Sequence, residues 1–185
     1  MILRQDFFNR PTLIVAQELL GCFLVRKIGR KIIKAKIVET EAYKGPQDLA
    51  SHASRGKTER NKIMFGQPGT IYVYFTYGMH YMFNIVTEPQ DYPAAVLIRA
   101  VEPEDKKLKT NGPARLTLVL KIDKSFNSLP IYTKKYGLWI EGRKEIIATA
   151  QIIRAKRIGV AYAGKYKDKK WRYYLKDNDF VSIKN

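Results

Sequence analysis

Cysteine and histidine are scarce in this sequence of 185 residues. Cys22 is the only cysteine, which excludes an internal disulfide and a cluster of thiolate ligands for zinc or an iron–sulfur centre. The two histidines, His52 and His80, lie apart in the sequence and do not form a His-x-x-x-His metal motif. We therefore expect neither a catalytic metal nor another cofactor.

Long apolar runs are also missing. No stretch approaches the ~20 consecutive apolar residues that a membrane-spanning helix requires. The sequence contains no signal-peptide or lipidation pattern. These observations argue against a membrane partner and, with the single cysteine, predict a cytoplasmic protein.

Acidic residues are few relative to basic ones. The chain has 34 Lys and Arg against 17 Asp and Glu, which gives a formal net charge of +17. This excess is larger than solubility requires and favours a polyanionic partner, for which nucleic acid is the better candidate. A lysine-rich but merely solvated surface is the alternative that charge alone leaves open.

The length suits one well-cored domain over residues 1–185, and 45% of the residues are hydrophobic. Short periodic segments predict an α+β fold: a largely antiparallel, curved sheet with short flanking helices and a protruding β-hairpin. We predict helices over residues 11–20 and 112–121. We predict strands over residues 23–26, 31–41, 70–75, 79–87, 94–101, 138–140, 151–160 and 171–175.

Residues 44–67 lack strand periodicity and are rich in Gly, Pro, Ser, Arg and Lys. This composition predicts a long surface segment, with a helical turn after Lys57. Because long ordered loops inside compact domains are usually functional, this segment is a candidate part of a binding site.

Two residues in this basic chain are chemically unusual. Glu41 lies at the end of a predicted strand, and Tyr77 lies at the tip of an aromatic hairpin. Each has an ordinary interpretation, since Glu41 could be a solvated surface residue and Tyr77 could pack across the hairpin. In a basic protein, however, exposed aromatic residues can stack against nucleic-acid bases or separate them.

The sequence resembles the alkyladenine (3-methyladenine) DNA glycosylase family, in particular its bacterial branch. Nine blocks occur in the family order and span nearly the whole chain. They are Leu19–Gly21, Val38–Pro46, Ser51-His52, Arg60-Asn61 with Met64-Phe65, Pro68–Tyr74, Tyr77–Asn84, Leu97–Pro103, Gly112–Leu116 and Arg157–Gly164.

The resemblance implies an enzyme that flips a damaged purine out of double-stranded DNA and hydrolyses its N-glycosidic bond. Glu41 matches the carboxylate that activates the attacking water. Arg99 and the main-chain carbonyl of Val160 match groups that hold the carboxylate or the water. Such chemistry needs no metal, because an alkylated purine is already a good leaving group.

The resemblance also implies how the DNA is held by a monomeric protein. The flipped base would lie between Tyr43, His52 and Tyr74, and Asn84 would reject normal guanine. Two further groups of residues match DNA-contacting positions. They are Tyr77 and Met79, which would fill the gap in the base stack, and Arg60 and Lys124, which would contact the DNA backbone.

Two positions depart from the family pattern, namely Glu59, where proline is common, and His80, where some members have an aromatic residue. Three alternative functions stay open at this stage. One is a nucleic-acid-binding module without catalysis, such as an RNA-binding domain that stacks bases on Tyr72, Tyr74 and Tyr77. Another is a degenerate RNA-binding relative, because the family fold also resembles a formyltransferase C-terminal domain. The third is a bifunctional glycosylase with a lyase lysine. A binder without catalysis would have no use for the carboxylate of Glu41.

Overall fold

The computed structural model describes residues 1–76 and 78–184. Its regular elements are α1 (Gln5–Phe8), α2 (Thr12–Glu18), β1 (Phe23–Ile28), β2 (Lys31–Lys44), β3 (Ile71–Thr76), β4 (His80–Val86), β5 (Ala94–Pro103), α3 (Pro113–Val119), β6 (Leu138–Glu141), β7 (Ile152–Ala155) and β8 (Arg172–Leu175). Five 3-10 turns connect them, at His52–Arg55, Lys62–Phe65, Lys124–Phe126, Thr149–Gln151 and Gly164–Asp168. The predicted α+β class is confirmed.

The strands form one antiparallel, curved sheet in the order β3-β4-β5-β2-β1-β6, with β7 and β8 attached beside β2. The long strand β2 is its centre. Along one edge β2 pairs with β5, and along the other edge it pairs first with β1 and then, at residues 39–41, with β8. This branching brings the C-terminal part of the chain next to the middle of the sheet.

The two faces of the sheet differ in polarity because successive side chains of a strand point in opposite directions. One face carries the main apolar core, which includes Ile71, Val73, Phe83, Ile85, Val96 and Ile98. Full burial of each such side chain contributes roughly 1.5–3 kcal/mol to folding. Helix α2 packs against this face, where the Thr40 hydroxyl donates a hydrogen bond of 2.8 Å to the carbonyl of Ala16.

A β-bulge in β2 exchanges the two faces partway along the strand. Ile37 pairs with Val101 and Glu39 pairs with Ala100, so Val38 is an extra residue without its own partner in the β2–β5 ladder. Before the bulge the odd-numbered Ile37 lies in the core, whereas after it the even-numbered Ala42 does. The odd-numbered residues after Val38 therefore point to the opposite, polar face.

The predicted β-hairpin is formed by β3 and β4, which pair from Ile71 and Ile85 to Thr76 and His80. Its far end is exposed, since Met79 retains 68% of its accessible surface. The predicted wedge residue Tyr77 lies outside the described residues.

Three sequence predictions need correction. The strand predicted over residues 31–41 continues to Lys44, so Glu41 lies inside β2. The strand predicted over residues 151–160 ends at Ala155, because its partner β8 begins at Arg172 and Gly159 has a φ of 77° that no strand adopts. Residues 44–67 were predicted to lie at the surface, but several of them are buried, among them Asp48 and Asn61.

Candidate active site

A cavity of about 300 Å³ lies on the polar face of the sheet. Its floor follows one row of directly opposed residues, in which Leu97 pairs with Asn84 and Asn84 pairs with Tyr72. Glu41 begins this row, since it pairs with Leu97. Because neighbouring strands lie only about 4.8 Å apart, the row brings together residues that are remote in the sequence.

Glu41 is fully buried directly behind the wall of this cavity. The Tyr43 hydroxyl donates a hydrogen bond of 2.9 Å to its Oε2, and the backbone N–H of Ile158 donates one of 2.8 Å to its Oε1. The Arg99 Nη1 lies 3.4 Å from Oε2. These three residues all line the cavity. A carboxylate held in this way is not the solvated surface residue of the ordinary interpretation.

Arg99 is held between two buried carboxylates. Its Nε lies 3.3 Å from Glu39 Oε1, while its Nη1 reaches Glu41. A second irregularity of the β2–β5 ladder explains this position: Glu39 pairs with Ala100 and Thr40 pairs with Ile98, so Arg99 has no direct partner in the ladder. Burial lowers the pKa of Arg99, but the charges of Glu41 and Glu39 outweigh this effect and raise it.

Glu39 itself connects the site to the C-terminal segment. It accepts hydrogen bonds from Arg172 Nη1 at 2.9 Å and from the backbone N–H of Ser182 at 2.8 Å. Arg172 also donates to the carbonyl of Ile183 at 2.8 Å. Two carboxylates and two guanidinium groups thus form one buried cluster with a net charge near zero.

Aromatic rings form another wall of the cavity. The rings of His52 and Tyr74 pack edge to face with centroids 4.5 Å apart, and His52 Nδ1 lies 3.0 Å from the Tyr72 hydroxyl. Burial lowers the pKa of His52, and the nearby charge of Arg60 lowers it further. Burial likewise raises the pKa of Tyr72 to about 12. Near pH 7 this wall is therefore uncharged and suited to contact a planar base.

The loop after β7 forms the part of the wall that faces Glu41. Arg157 makes a fully buried ion pair with Asp48, with distances of 2.5 and 2.8 Å, and also donates to the carbonyl of Ala42 at 2.9 Å. Its guanidinium carbon lies 4.8 Å from the centroid of the Tyr43 ring. Arg157 therefore fixes the neighbouring Ile158 N–H against Glu41 and packs against Tyr43.

Asn84 lies on the cavity floor and is 3% exposed. Its side-chain amide donates hydrogen bonds of 3.2 Å to the carbonyls of Tyr72 and Met82. These bonds fix the rotamer, so the position of the amide in the cavity is set by the backbones of β3 and β4.

The structure brings most of the site residues predicted from the sequence to this one cavity. Glu41 lies behind the wall, and the lining residues include Tyr43, His52, Tyr74, Asn84, Arg99 and Val160. The carbonyl of Val160 accepts a hydrogen bond of 3.0 Å from Ala163, which leaves one lone pair for another donor.

Three of the four predicted DNA-contacting residues, Met79, Arg60 and Lys124, lie outside the cavity. Met79 is at the exposed end of the hairpin, and Lys124 is exposed in the 3-10 turn that follows α3. Arg60 is exposed beside the aromatic wall, where its guanidinium carbon lies 5.9 Å from the Tyr74 ring centroid. Tyr77 cannot be placed, as it is not among the described residues.

Several supporting residues were not predicted from the sequence. Glu39 and Tyr72 could have been found, because each lies two residues before a predicted site residue and therefore shares its face of a strand. Nothing in the sequence indicates the pairing of Asp48 with Arg157, which are 109 positions apart.

Within residues 1–76 and 78–184, no helix is both long and apolar enough to cross a membrane. That same part of the chain contains no group of three or more His, Cys, Asp or Glu side chains that could hold a metal ion.

Comparison with known proteins gave consistent matches over the chain. The sequence model of the methylpurine-DNA glycosylase (MPG) family matches residues 6–179. A protein of Clostridium perfringens (strain SM101 / Type A) is 42% identical and one of Carboxydothermus hydrogenoformans is 45% identical, each over 100% of both chains. A protein of Desulfitobacterium hafniense (strain Y51) is 42% identical over 98% of both chains. All three are assigned as 3-methyladenine DNA glycosylases.

Proposed function

This chain belongs to the methylpurine-DNA glycosylase family and is a DNA glycosylase of base-excision repair, and we propose that it hydrolyses the N-glycosidic bond of a flipped, damaged purine with water activated by Glu41. The observation that carries this proposal is a fully buried carboxylate in a chain of net charge +17. Burying a charge is costly unless donors compensate it, and the groups that compensate Glu41, namely Tyr43, Arg99 and Ile158, all line the cavity.

The proposed reaction uses Glu41 as a general base. The oxygen of a water molecule attacks C1′ of the deoxyribose, the C1′–N bond breaks, and the purine leaves with the bonding electrons. Glu41 accepts the proton of the water, and its negative charge stabilises the positive charge that develops on the sugar. The free lone pair of the Val160 carbonyl is available to orient the same water molecule.

Arg99 supports this reaction by holding the carboxylate. Its guanidinium lies 3.4 Å from Glu41 Oε2 and is itself fixed by Glu39, so it holds the carboxylate in place. The Tyr43 hydroxyl and the Ile158 N–H also hold the carboxylate, because each donates a hydrogen bond to one of its two oxygens.

The aromatic wall is proposed to hold the flipped base. Tyr43, His52 and Tyr74 line a cavity of about 300 Å³, at the lower end of the range of about 300–1,000 Å³ for small-molecule sites. The rings can stack on the base, and Asn84 on the floor would reject the exocyclic amino group of normal guanine.

The finer features of DNA binding are part of the same proposal. The substrate would be double-stranded DNA that contains a damaged purine, with Tyr77 and Met79 in the base stack and Arg60 and Lys124 on phosphates. We also propose that residues 1–185 act as one domain and as a monomer in the cytoplasm, where chromosomal DNA is accessible.

The test is the variant Glu41→Gln, which keeps the shape of the side chain but removes its charge and basicity. Release of base from a duplex that contains hypoxanthine or 3-methyladenine is measured under single-turnover conditions, as alkali-labile abasic sites. We expect release to be at least ~10²-fold slower than in the wild type. Binding of the lesion duplex, measured in parallel, should be retained.

A matched control is Glu145→Gln, because Glu145 is an exposed carboxylate remote from the cavity. It removes the same charge and should leave base release and lesion binding as in the wild type. Near-normal base release by a folded Glu41→Gln protein would mean that another residue acts as the general base. Equal losses in both variants would show that net charge, and not general-base chemistry, limits the rate.

A further inference from the structure

Tyr43 contacts the candidate active site in two different ways. Glu41 and Tyr43 lie two residues apart after the bulge of β2, so both side chains point to the polar face. The ring of Tyr43 lines the cavity, whereas its hydroxyl donates a hydrogen bond of 2.9 Å to Glu41 Oε2. One side chain therefore joins the surface that would hold the base to the carboxylate that would activate water.

The hydroxyl of Tyr43 stays protonated throughout the working range of pH. Burial raises the pKa of Tyr43 well above its usual value, and the negative charge of Glu41 raises it further. The group is therefore a permanent hydrogen-bond donor to Glu41 Oε2, so it can hold the carboxylate in one orientation.

We propose that Tyr43 is a positioning residue, whose hydroxyl orients the carboxylate of Glu41 while its ring packs against the flipped base. This inference rests on the proposed function of Glu41. It assigns the hydroxyl a role that stacking alone does not require, because a phenylalanine ring would stack equally well.

Other groups also face Glu41, and they limit the size of the effect. The Arg99 guanidinium and the Ile158 N–H contact it directly, and the charge of Arg157 and the hydroxyl of Tyr74 act on it from a greater distance. All of these remain when only the Tyr43 hydroxyl is removed. The loss of one of three direct contacts should therefore weaken the reaction without abolishing it.

The experiment compares Tyr43→Phe with the wild type on a hypoxanthine duplex. Single-turnover rates at saturating protein are measured at one pH, and lesion binding is measured separately. We expect the single-turnover rate to fall about tenfold, as for the loss of one hydrogen bond to a charged group. Lesion affinity should stay within about twofold of the wild type, because the ring remains.

A matched control is Tyr136→Phe, which removes a tyrosine hydroxyl from a turn before β6, outside the cavity. Its single-turnover rate and lesion affinity should coincide with those of the wild type. A second test uses the double variant Glu41→Gln with Tyr43→Phe. If the hydroxyl acts through Glu41, its removal should have no further effect on the rate once the carboxylate is absent.

Two outcomes would overturn the inference. One is a Tyr43→Phe protein with an unchanged single-turnover rate. The other is a loss of lesion affinity without a slower rate at saturating protein, which would mean that Tyr43 acts only by stacking. Failure of the proposed function would give a different result. Glu41→Gln would then release base at a near-normal rate, whatever the rate of Tyr43→Phe.

Discussion

Glu39 is predicted to be a major stabilising residue although it lies outside the cavity. The change is Glu39→Gln, which preserves the side-chain volume and removes one charge from the buried cluster. Glu39 Oε1 accepts from Arg99 and Arg172, and Oε2 accepts from the Ser182 N–H. A glutamine can keep its oxygen towards the two guanidinium groups, but its amide then faces the Ser182 N–H, donor against donor.

The magnitude follows from these contacts. Removing one partner of a buried ion pair costs about 3–5 kcal/mol, because the remaining charge stays buried without compensation. We expect the lower end, about 3 kcal/mol, since the glutamine oxygen keeps part of the hydrogen bonding to Arg99 and Arg172. For a chain of this size, 1 kcal/mol corresponds to about 2–4 °C, so Tm should fall by about 6–12 °C.

The assay is reversible thermal unfolding of three proteins at one pH and one salt concentration. They are the wild type, Glu39→Gln and Glu59→Gln. Glu59 is a matched control because it also pairs with a cation, Lys62 at 2.7 Å, but with a side chain that is 91% exposed. Exposed pairs contribute little to stability, so Glu59→Gln should leave Tm unchanged.

The reasoning would be refuted by a Glu39→Gln protein that unfolds at the same temperature as Glu59→Gln. That result would mean that the buried cluster reorganises or admits water without cost. An equal fall of Tm in both variants would also show that burial does not decide how much a carboxylate contributes to stability.

Three shorter predictions concern pH, selectivity and the hairpin. Burial opposes the ionisation of Glu102, but hydrogen bonds from Lys106, Lys36 and Asn178 outweigh it and lower the pKa of Glu102 from 4.5 to about 2. The contribution of Glu102 to stability is therefore present above about pH 5 and is lost as the pH falls towards 2. Unfolding measured over that range should show a smaller pH dependence in Glu102→Gln, and an equal dependence would contradict the assignment. Asn84→Ser should raise removal of normal guanine relative to a lesion, and an unchanged ratio of the two rates would count against its role in rejection. Tyr77→Ser should weaken lesion binding and base release while leaving Tm unchanged, and a parallel loss of Tm would make Tyr77 structural.

The sequence determined the class of the fold and the chemical inventory of the site. Alternating apolar residues predicted most strands to within a few positions, because the period of two is a local property of an extended chain. The excess of Lys and Arg favoured a nucleic-acid partner, and the ordered family blocks identified Glu41, Arg99 and the aromatic wall. These features need no knowledge of which strands pair.

Only the tertiary structure decided how these residues meet. The extra residue Val38 turns Glu41 and Tyr43 away from the core, and a bulge is invisible to local alternation because it arises from pairing with β5. The same holds for the pair of Asp48 and Arg157 and for the contact of Glu39 with the C-terminal segment. Both contacts join parts of the chain more than 100 positions apart, and nothing in a local sequence pattern specifies the partner of a buried charge.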